Sequence, residues 1–422
     1  MQKKRLHNYR WLLFGILAMM YILVYFYRVS LAVVAGDISR ELHLTPQELG
    51  TLSGILFYVY AAAQLPLGPL IDRLGGRLII SSFGIITALG GLLFAQAATL
   101  QDAIIARMLI GIGTASTLMA TFSIFSHWYS KIEFGRITSL MIAVGNLGNL
   151  SATAPLALAV AYFGWRDSFL AIGWAQLIIT MIVLLFVRNR PPQSQHETET
   201  TPAEQHQTIG VMEAWRRVYG LRDFWMLALL AFCWYGNYMA VQGLWGGPYL
   251  MNIAGLSREH TGNMLMLTSI GFIAGSLVID AVARRLFCSY QKTMLFGQLL
   301  LFLLMCSFLG IAERLPLPLL GLLFFTIGLA VSSGVMIYPI IRSMYPVQIV
   351  GTALTSLNFF VLMGAAVTQH AMGIAISVFS MNGTSQADAF HQAFMMPIAA
   401  LLLAAIIFHF AKDYSDIGRH TS

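Results

Sequence analysis

Gly68-Pro69-Leu70-Ile71-Asp72-Arg73-Leu74-Gly75-Gly76-Arg77 crowds one carboxylate, two arginines and three glycines into ten residues between two long apolar segments. What flanks this turn decides the fold. The 422-residue chain is 58% hydrophobic and only 10% charged, a balance that does not suit a water-facing surface. Its apolar residues come in repeated runs of about 18 to 25, the length that crosses ~30 Å of hydrocarbon as a helix. The short alternating segments of a membrane barrel are not seen. The fold class expected is therefore an all-α membrane protein, with the charged turn joining two of its spans.

Reading outward from that turn gives twelve spans: 11–35, 48–69, 78–98, 101–125, 136–161, 167–187, 223–250, 260–283, 292–312, 316–340, 351–379 and 390–411. Six precede the polar stretch 188–222 and six follow it. The division expected is a six-helix bundle at 1–187, a cytoplasmic linker at 188–222 and a second six-helix bundle at 223–422. The linker opens with Pro191-Pro192 and runs through Gln, Glu, Thr and His that cannot bury a core. Its end, Val211-Met-Glu-Ala-Trp215-Arg-Arg-Val-Tyr219, separates apolar and basic residues on a helix and suits the inner membrane surface. Placing both termini in the cytoplasm leaves only Arg40, Arg166, Arg258 and Arg314 outside, with Arg28 and Arg107 inside spans, out of 25 Lys and Arg. That asymmetry sets the expected orientation.

Lys3, Lys4, Arg5 and Arg10 precede the first apolar run, as in a signal peptide, but the run from Trp11 to Ala35 exceeds a signal core of about 7–15 residues. It reads as a retained span. The net charge of +7 is the positive-inside excess rather than a nucleic-acid surface. Cys233, Cys288 and Cys306 lie far apart and offer neither a disulfide framework nor metal spacing. With no P-loop, zinc spacing or nucleophile–base signature, neither an enzyme nor a cofactor is expected.

Polarity differs among the spans. The third, sixth, ninth and twelfth are nearly pure Leu, Ile, Phe, Ala and Met, whereas the first, fourth, seventh, tenth and eleventh carry polar and aromatic-polar residues. Polar faces need a protein or water-filled interior, so a central polar cavity jacketed by lipid-facing helices is expected. The opening turn also has an echo: Gly275, Asp280, Arg284 and Arg285 follow the eighth span as Gly68, Asp72, Arg73 and Arg77 follow the second. Two halves of like topology are the signature of a transporter with parallel repeats.

The opening turn, read as Gly68-x-Leu70-x-Asp72-Arg73-x-Gly75-x-Arg77, resembles the loop motif of the major facilitator superfamily. Arg107-x-x-x-Gly111-x-Gly113 resembles that superfamily's fourth-helix motif, and Gly164-Trp165-Arg166-x-x-Phe169 its sequence before the sixth helix. The resemblance covers the whole chain and implies the two-bundle fold, a mid-membrane site and alternating access. Tyr25-Phe-Tyr27-Arg28-Val-Ser30, with Leu44-Thr45-x-Gln47-x-x-Gly50, is similar to anion:cation symporters and organophosphate exchangers, which place an anion-binding arginine in the first helix. The same stretch, with Gly243-Leu-Trp245-Gly246-Gly-Pro248-Tyr249, also resembles bacterial phagosomal nutrient transporters. Tyr27 stands where many of the symporters have an acid, which speaks against proton coupling of that type.

Arg28 lies ~26 Å along the first span at 1.5 Å per residue. Its planar fork matches a carboxylate or phosphate; the alternative is an arginine that snorkels to outer headgroups. Tyr25, Tyr58, Tyr238, Gln242 and Asn358 are the further substrate-binding candidates, as donors on apolar walls. Arg107 and His370 are candidates for coupling, since Asp37, Asp72, Asp280 and Asp388 fall at span ends and no acid lies deep in a span. Gly68, Asp72, Arg73, Gly75, Arg77, Glu133, Asp280 and Arg284 form the gating set implied by the resemblance. In it Asp72 meets amides near Gly351 and Thr352, and Arg73 and Arg77 meet Glu133.

The function expected is a transporter that moves a small organic anion, a carboxylate or sugar acid, across a bacterial inner membrane. Import of amino acids or nucleosides is the alternative. Multidrug efflux is disfavoured because Pro155 follows Ala154 where the superfamily's drug–proton antiporters have a Gly-Pro pair. A solute sensor has too short a linker. The partners expected are the anionic substrate, protons or a counter-anion, and the lipid bilayer around a monomer, with no nucleic acid.

Overall fold

A computed structural model describes residues 2–129, 131–191 and 211–414. The side chain of Asp72 and the surroundings of Gly68 lie outside what the structure describes, so those two gating expectations go no further than their place in a helix. Among the described residues all regular structure is helical. The chain forms two compact units, Met1–Leu44 with Ile55–Pro202 and Thr45–Gly54 with Ala203–Ser422.

The first unit holds α1 (Gln2–Val29), α2 (Leu31–Glu41), most of α3 (Pro46–Leu74), α4 (Gly76–Gln96), α5 (Leu100–Ala115), α6 (Thr117–Trp128), α7 (Lys131–Ser151) and α8 (Ala154–Phe186). Gly164 inside α8 has φ +79°, a backbone region that glycine enters without a Cβ penalty. That break divides α8, so that its first piece completes the fifth span and its second piece is the sixth. Helix α1 ends at Val29 and the chain restarts at Leu31, which splits the first span at Ser30 and carries helix past the expected end to Glu41. Helix α7 lies close against α1 because Gly148 has no side chain: a Cβ there would sit 2.0 Å from the Ile22 carbonyl oxygen.

The second unit holds α9 (Val211–Tyr219), α10 (Arg222–Met239), a π-helical segment Ala240–Trp245, α11 (Gly246–Asn252), α12 (Arg258–Val282), α13 (Tyr290–Met305), α14 (Leu317–Ser332), α15 (Ile337–Met344), α16 (Val347–Met381) and α17 (Gln386–His409). The start of α3 belongs here because it is stitched to α16: the Gln47 amide donates to Ser377 Oγ at 3.0 Å and Ser53 Oγ donates to Gln369 Oε1 at 2.7 Å. Hydroxyl caps set several helix starts. Ser257, Ser289 and Ser385 each accept from the amide three residues on, and Thr99 forms a reciprocal capping box with Asp102.

Ten of the described helical stretches are long and apolar enough to cross a bilayer. One of them, Leu140–Phe186, is 47 residues and counts as two once divided at Gly164; with α3 added, the architecture is the expected twelve-helix fold. Burial follows polarity in part, since the apolar third span, Gly76–Gln96, is 56% buried and the more polar eleventh, Ile349–Met381, 50%. The apolar window of Arg222–Asn252 is 83% buried, against 44% for Tyr290–Leu309 and for Gln386–His409, the ninth and twelfth spans. Within the 188–222 stretch, residues 192–210 lie outside the described residues. Helix α9 buries Ala214 and Val218 and exposes Met212 and Trp215.

Candidate functional site

The last turn of α1 carries Arg28, only 8% exposed despite its charge. Its guanidinium carbon lies over the Tyr25 ring at 4.9 Å and over the Tyr60 ring at 4.8 Å. Both rings offer the negative face of a π system to the cation, an interaction that strengthens as water is excluded. Tyr25 is itself held: the Tyr21 ring meets it edge-on at 5.0 Å, and the Tyr21 hydroxyl donates to the Tyr25 hydroxyl at 3.4 Å. The two rings flank a planar guanidinium, the fork whose chemistry grips an oxyanion bidentately.

The break after α1 leaves carbonyls without an intrahelical donor, as every helix end does. Arg107, fully buried on α5, meets that need: its Nη1 donates to the Tyr27 carbonyl at 3.0 Å. Ser30 Oγ reaches the same oxygen at 3.5 Å. Arg107, a coupling candidate by sequence, thus makes a direct bracing contact on the peptide next to Arg28.

Of the other substrate-binding candidates, Tyr58 is half-buried and sits about 200° round α3 from Tyr60 at 100° per residue. The ring that attends Arg28 on α3 is thus Tyr60's. In the second unit, Tyr238 is buried with its ring parallel to Phe272 at 5.7 Å. Gln242, one turn on and fully buried, spends its Nε2 on the Leu265 carbonyl at 3.2 Å and on Ser269 Oγ at 3.0 Å. That pair ties the π segment to α12. Asn358 is half-buried on α16.

His370 is half-buried on α16, and the polar hub is its neighbour Gln369, which is fully buried. Gln369 Nε2 donates to the Met239 carbonyl at 2.8 Å, its Oε1 accepts from Ser53, and its carbonyl accepts from Trp245 Nε1 at 3.0 Å. Sequence reading passed over it, although an amide in an apolar span is the signal that singled out Asn358. What could not be read was the π segment Ala240–Trp245, whose wider turn frees backbone groups beside the amide.

The gating set is dispersed. Glu133 is met by Arg10 at 2.6 Å, and Arg10 also lies 4.3 Å over the Tyr129 ring. Arg77 instead turns to the end of α8, its Nε donating to the Leu184 carbonyl at 2.9 Å. Helix α16 begins at Val347, so Gly351 and Thr352 lie a turn inside it, where amides are spent on the helix itself. Asp280 and Arg284 form an exposed pair at 2.8 Å within one turn.

A family model described as Major Facilitator Superfamily matches residues 17–369. Among curated proteins, the chain is 25% identical over 291 residues to a probable sulfoacetate transporter, SauU, of Cupriavidus necator, covering 65% of this chain and 66% of that one. It is 28% identical over 264 residues to a probable L-galactonate transporter of Escherichia coli, covering 60% and 57%. The match thus spans less than two thirds of the length of either relative. Among solved structures, it is similar to a bacterial homolog of the human lysosomal transporter Spinster in an inward-facing, unoccupied conformation, with TM-score 0.77 and 18% identity over 96% of this chain and 97% of that one. That likeness is one of fold.

Proposed function

Because the chain belongs to the Major Facilitator Superfamily and is a transporter rather than an enzyme, we propose on that premise that it moves a small organic anion, a carboxylate or sugar acid, by alternating access around Arg28. The observation that carries the reading is the cation held between Tyr25 and Tyr60 at the end of α1. A buried arginine attended by two aromatic rings suits an anionic cargo, because a carboxylate brought against it offsets a charge that is costly at membrane depth. The relatives named for sulfoacetate and L-galactonate support the same class of cargo. Arg107 is assigned to holding the Tyr27 carbonyl, and through it the peptide that bears Arg28. His370 is the group proposed to carry a proton alongside the anion; exchange for a counter-anion is the other mode.

The test is uptake of labelled galactonate and sulfoacetate into proteoliposomes containing the purified chain. Saturable uptake, competed by other organic anions and not by neutral amino acids or nucleosides, is expected. A charge-assisted hydrogen-bond pair is worth about 1.5–3 kcal/mol, so Arg28→Gln lowers the affinity for the anion by about 10- to 150-fold. Competition by neutral amino acids or nucleosides moves the assignment to import of those compounds, and undiminished uptake by Arg28→Gln removes Arg28 from the site.

A further inference from the structure

Within the first unit a cavity of about 350 Å³ lies away from Arg28, with Arg73, Gly75, Ser123, His127, Asn189 and Arg190 in its lining. The gating expectation used Arg73 and Gly75 only as latch residues; the space they border has no role in it. We propose that this cavity is a binding site for a phosphate group, presented by an anionic phospholipid or by a soluble phosphate. The assignment is independent of the cargo carried at Arg28.

Three observations carry it. The first is chemistry: two arginines, a histidine, an asparagine and a serine line the space, and no carboxylate lines it among the described residues. Arginine forks match phosphate oxygens, and basic pockets between membrane helices on the cytoplasmic side suit anionic headgroups.

The second is that the frame is built rather than incidental. The Arg77 amide donates to Asn189 Oδ1 at 2.7 Å, and Trp128 Nε1 donates to the Arg188 carbonyl at 2.8 Å, so the turn after α8 is fixed to α4 and α6. Gly75 stands at φ +79°, and a Cβ there would lie 2.4 Å from Asn189 Nδ2, so a side chain at this position would be strained and would push into the amide. His127 Nδ1 lies 2.8 Å from the Ser123 carbonyl, which can only accept; Nδ1 therefore carries a proton, and Nε2 is the ring's remaining polar atom.

The third is position. Leu74, Leu78, Leu185 and Phe186, on the ends of α3, α4 and α8 that border the cavity, are about half to three quarters exposed. Apolar side chains beside a cationic pocket are what a lipid phosphate with acyl chains would use. A volume of about 350 Å³ also exceeds what inorganic phosphate fills and falls in the usual range for ligand sites.

The experiment uses the full chain in neutral detergent, with native mass spectrometry and thermal unfolding as readouts. The probes are phosphatidylglycerol, phosphatidylcholine and inorganic phosphate. Phosphatidylglycerol is expected to give a retained adduct and a raised unfolding midpoint where phosphatidylcholine does not. Arg73→Gln with Arg190→Gln is expected to weaken that adduct at least ten-fold, while Arg216→Gln with Arg217→Gln, a loss of the same charge on α9, leaves it intact. Inorganic phosphate that reproduces the midpoint shift and displaces the lipid assigns the site to a soluble phosphate; a lipid effect without a phosphate effect assigns it to the headgroup. Should the double variant fail to fold, Arg190→Gln alone, in the turn after α8 and outside any helix, reads out the same loss. Failure of both anionic probes to bind the wild type, or equal binding by the wild type and the arginine variants, overturns the proposal.

Discussion

Arg28 shows how much a single residue's setting matters. The sequence places a costly charge in a span, but whether that charge snorkels or stays inside depends on neighbours brought from α1 and α3. With 8% exposure and two rings under the cation, it stays inside. A cation–π contact of this kind is worth about 0.5–2 kcal/mol, and it is made by the ring rather than the hydroxyl. Tyr60→Phe is therefore expected to keep the KM for anion uptake close to wild type, whereas Tyr60→Leu raises it about 2- to 30-fold. Equal KM values for the two variants would show that the ring has no part. Glu41 offers a residue-scale test of pH. The Arg166 guanidinium at 2.8 Å, and then the Trp165 indole N–H at 2.6 Å, hold its carboxyl below the usual carboxylate range. A lowered folded-state value means the contribution is present above the unfolded value, about 4.3, and is lost as pH falls through the folded value. The gap in unfolding midpoint between wild type and Glu41→Gln is thus expected at pH 7 and should shrink below about pH 4.

Among the elements, the π segment Ala240–Trp245 and the junction at Ser30 are two of the places where a long apolar helix is interrupted, and both are met by buried polar side chains. Gln369 supplies a donor to Met239 and receives one from Ser53; Arg107 supplies a donor to Tyr27. Leaving a buried carbonyl without its donor costs about 1–3 kcal/mol. Gln369→Leu is expected to lower the unfolding midpoint and to raise amide hydrogen exchange in the π segment well above that of α13, which it does not touch. Unchanged exchange in that segment would show that Gln369 is a passenger. The length of the apolar runs located these helices because a run long enough to span has few other states in lipid. It missed the irregular turns because a π turn or a split at a serine leaves the apolar pattern intact.

For the whole molecule, the positive-inside asymmetry remains the ground for orientation, and we propose that both termini face the cytoplasm. A cytoplasm-active reporter fused after Ser422 is expected to be active and a periplasm-active one silent; the reverse result inverts the topology and moves the Arg73–Arg190 cavity to the outer face. The opening stretch, Gly68 to Arg77, is not a loop: Gly68 to Leu74 finish α3, α4 starts at Gly76, and only Gly75 stands outside a helix. The stretch was legible as the junction between two spans and as the mark of the family. Its partners were not, because Arg77 and Glu133 each have several neighbours of suitable chemistry within reach of a long side chain, and packing chooses among them. Arg77 goes to Leu184, and Glu133 goes to Arg10.

The sequence by itself determined the twelve-helix membrane class, the family and the presence of a costly charge at Arg28, since each follows from the local cost of polar groups in hydrocarbon. Only the tertiary structure decided that Tyr60 and not Tyr58 attends that charge, that Gln369 and not His370 is the polar hub of α16, and that Arg73, His127, Asn189 and Arg190 share one cavity. Those choices depend on helix rotation and on close approach at glycines such as Gly148, and neither is encoded in the order of apolar and polar residues along the chain.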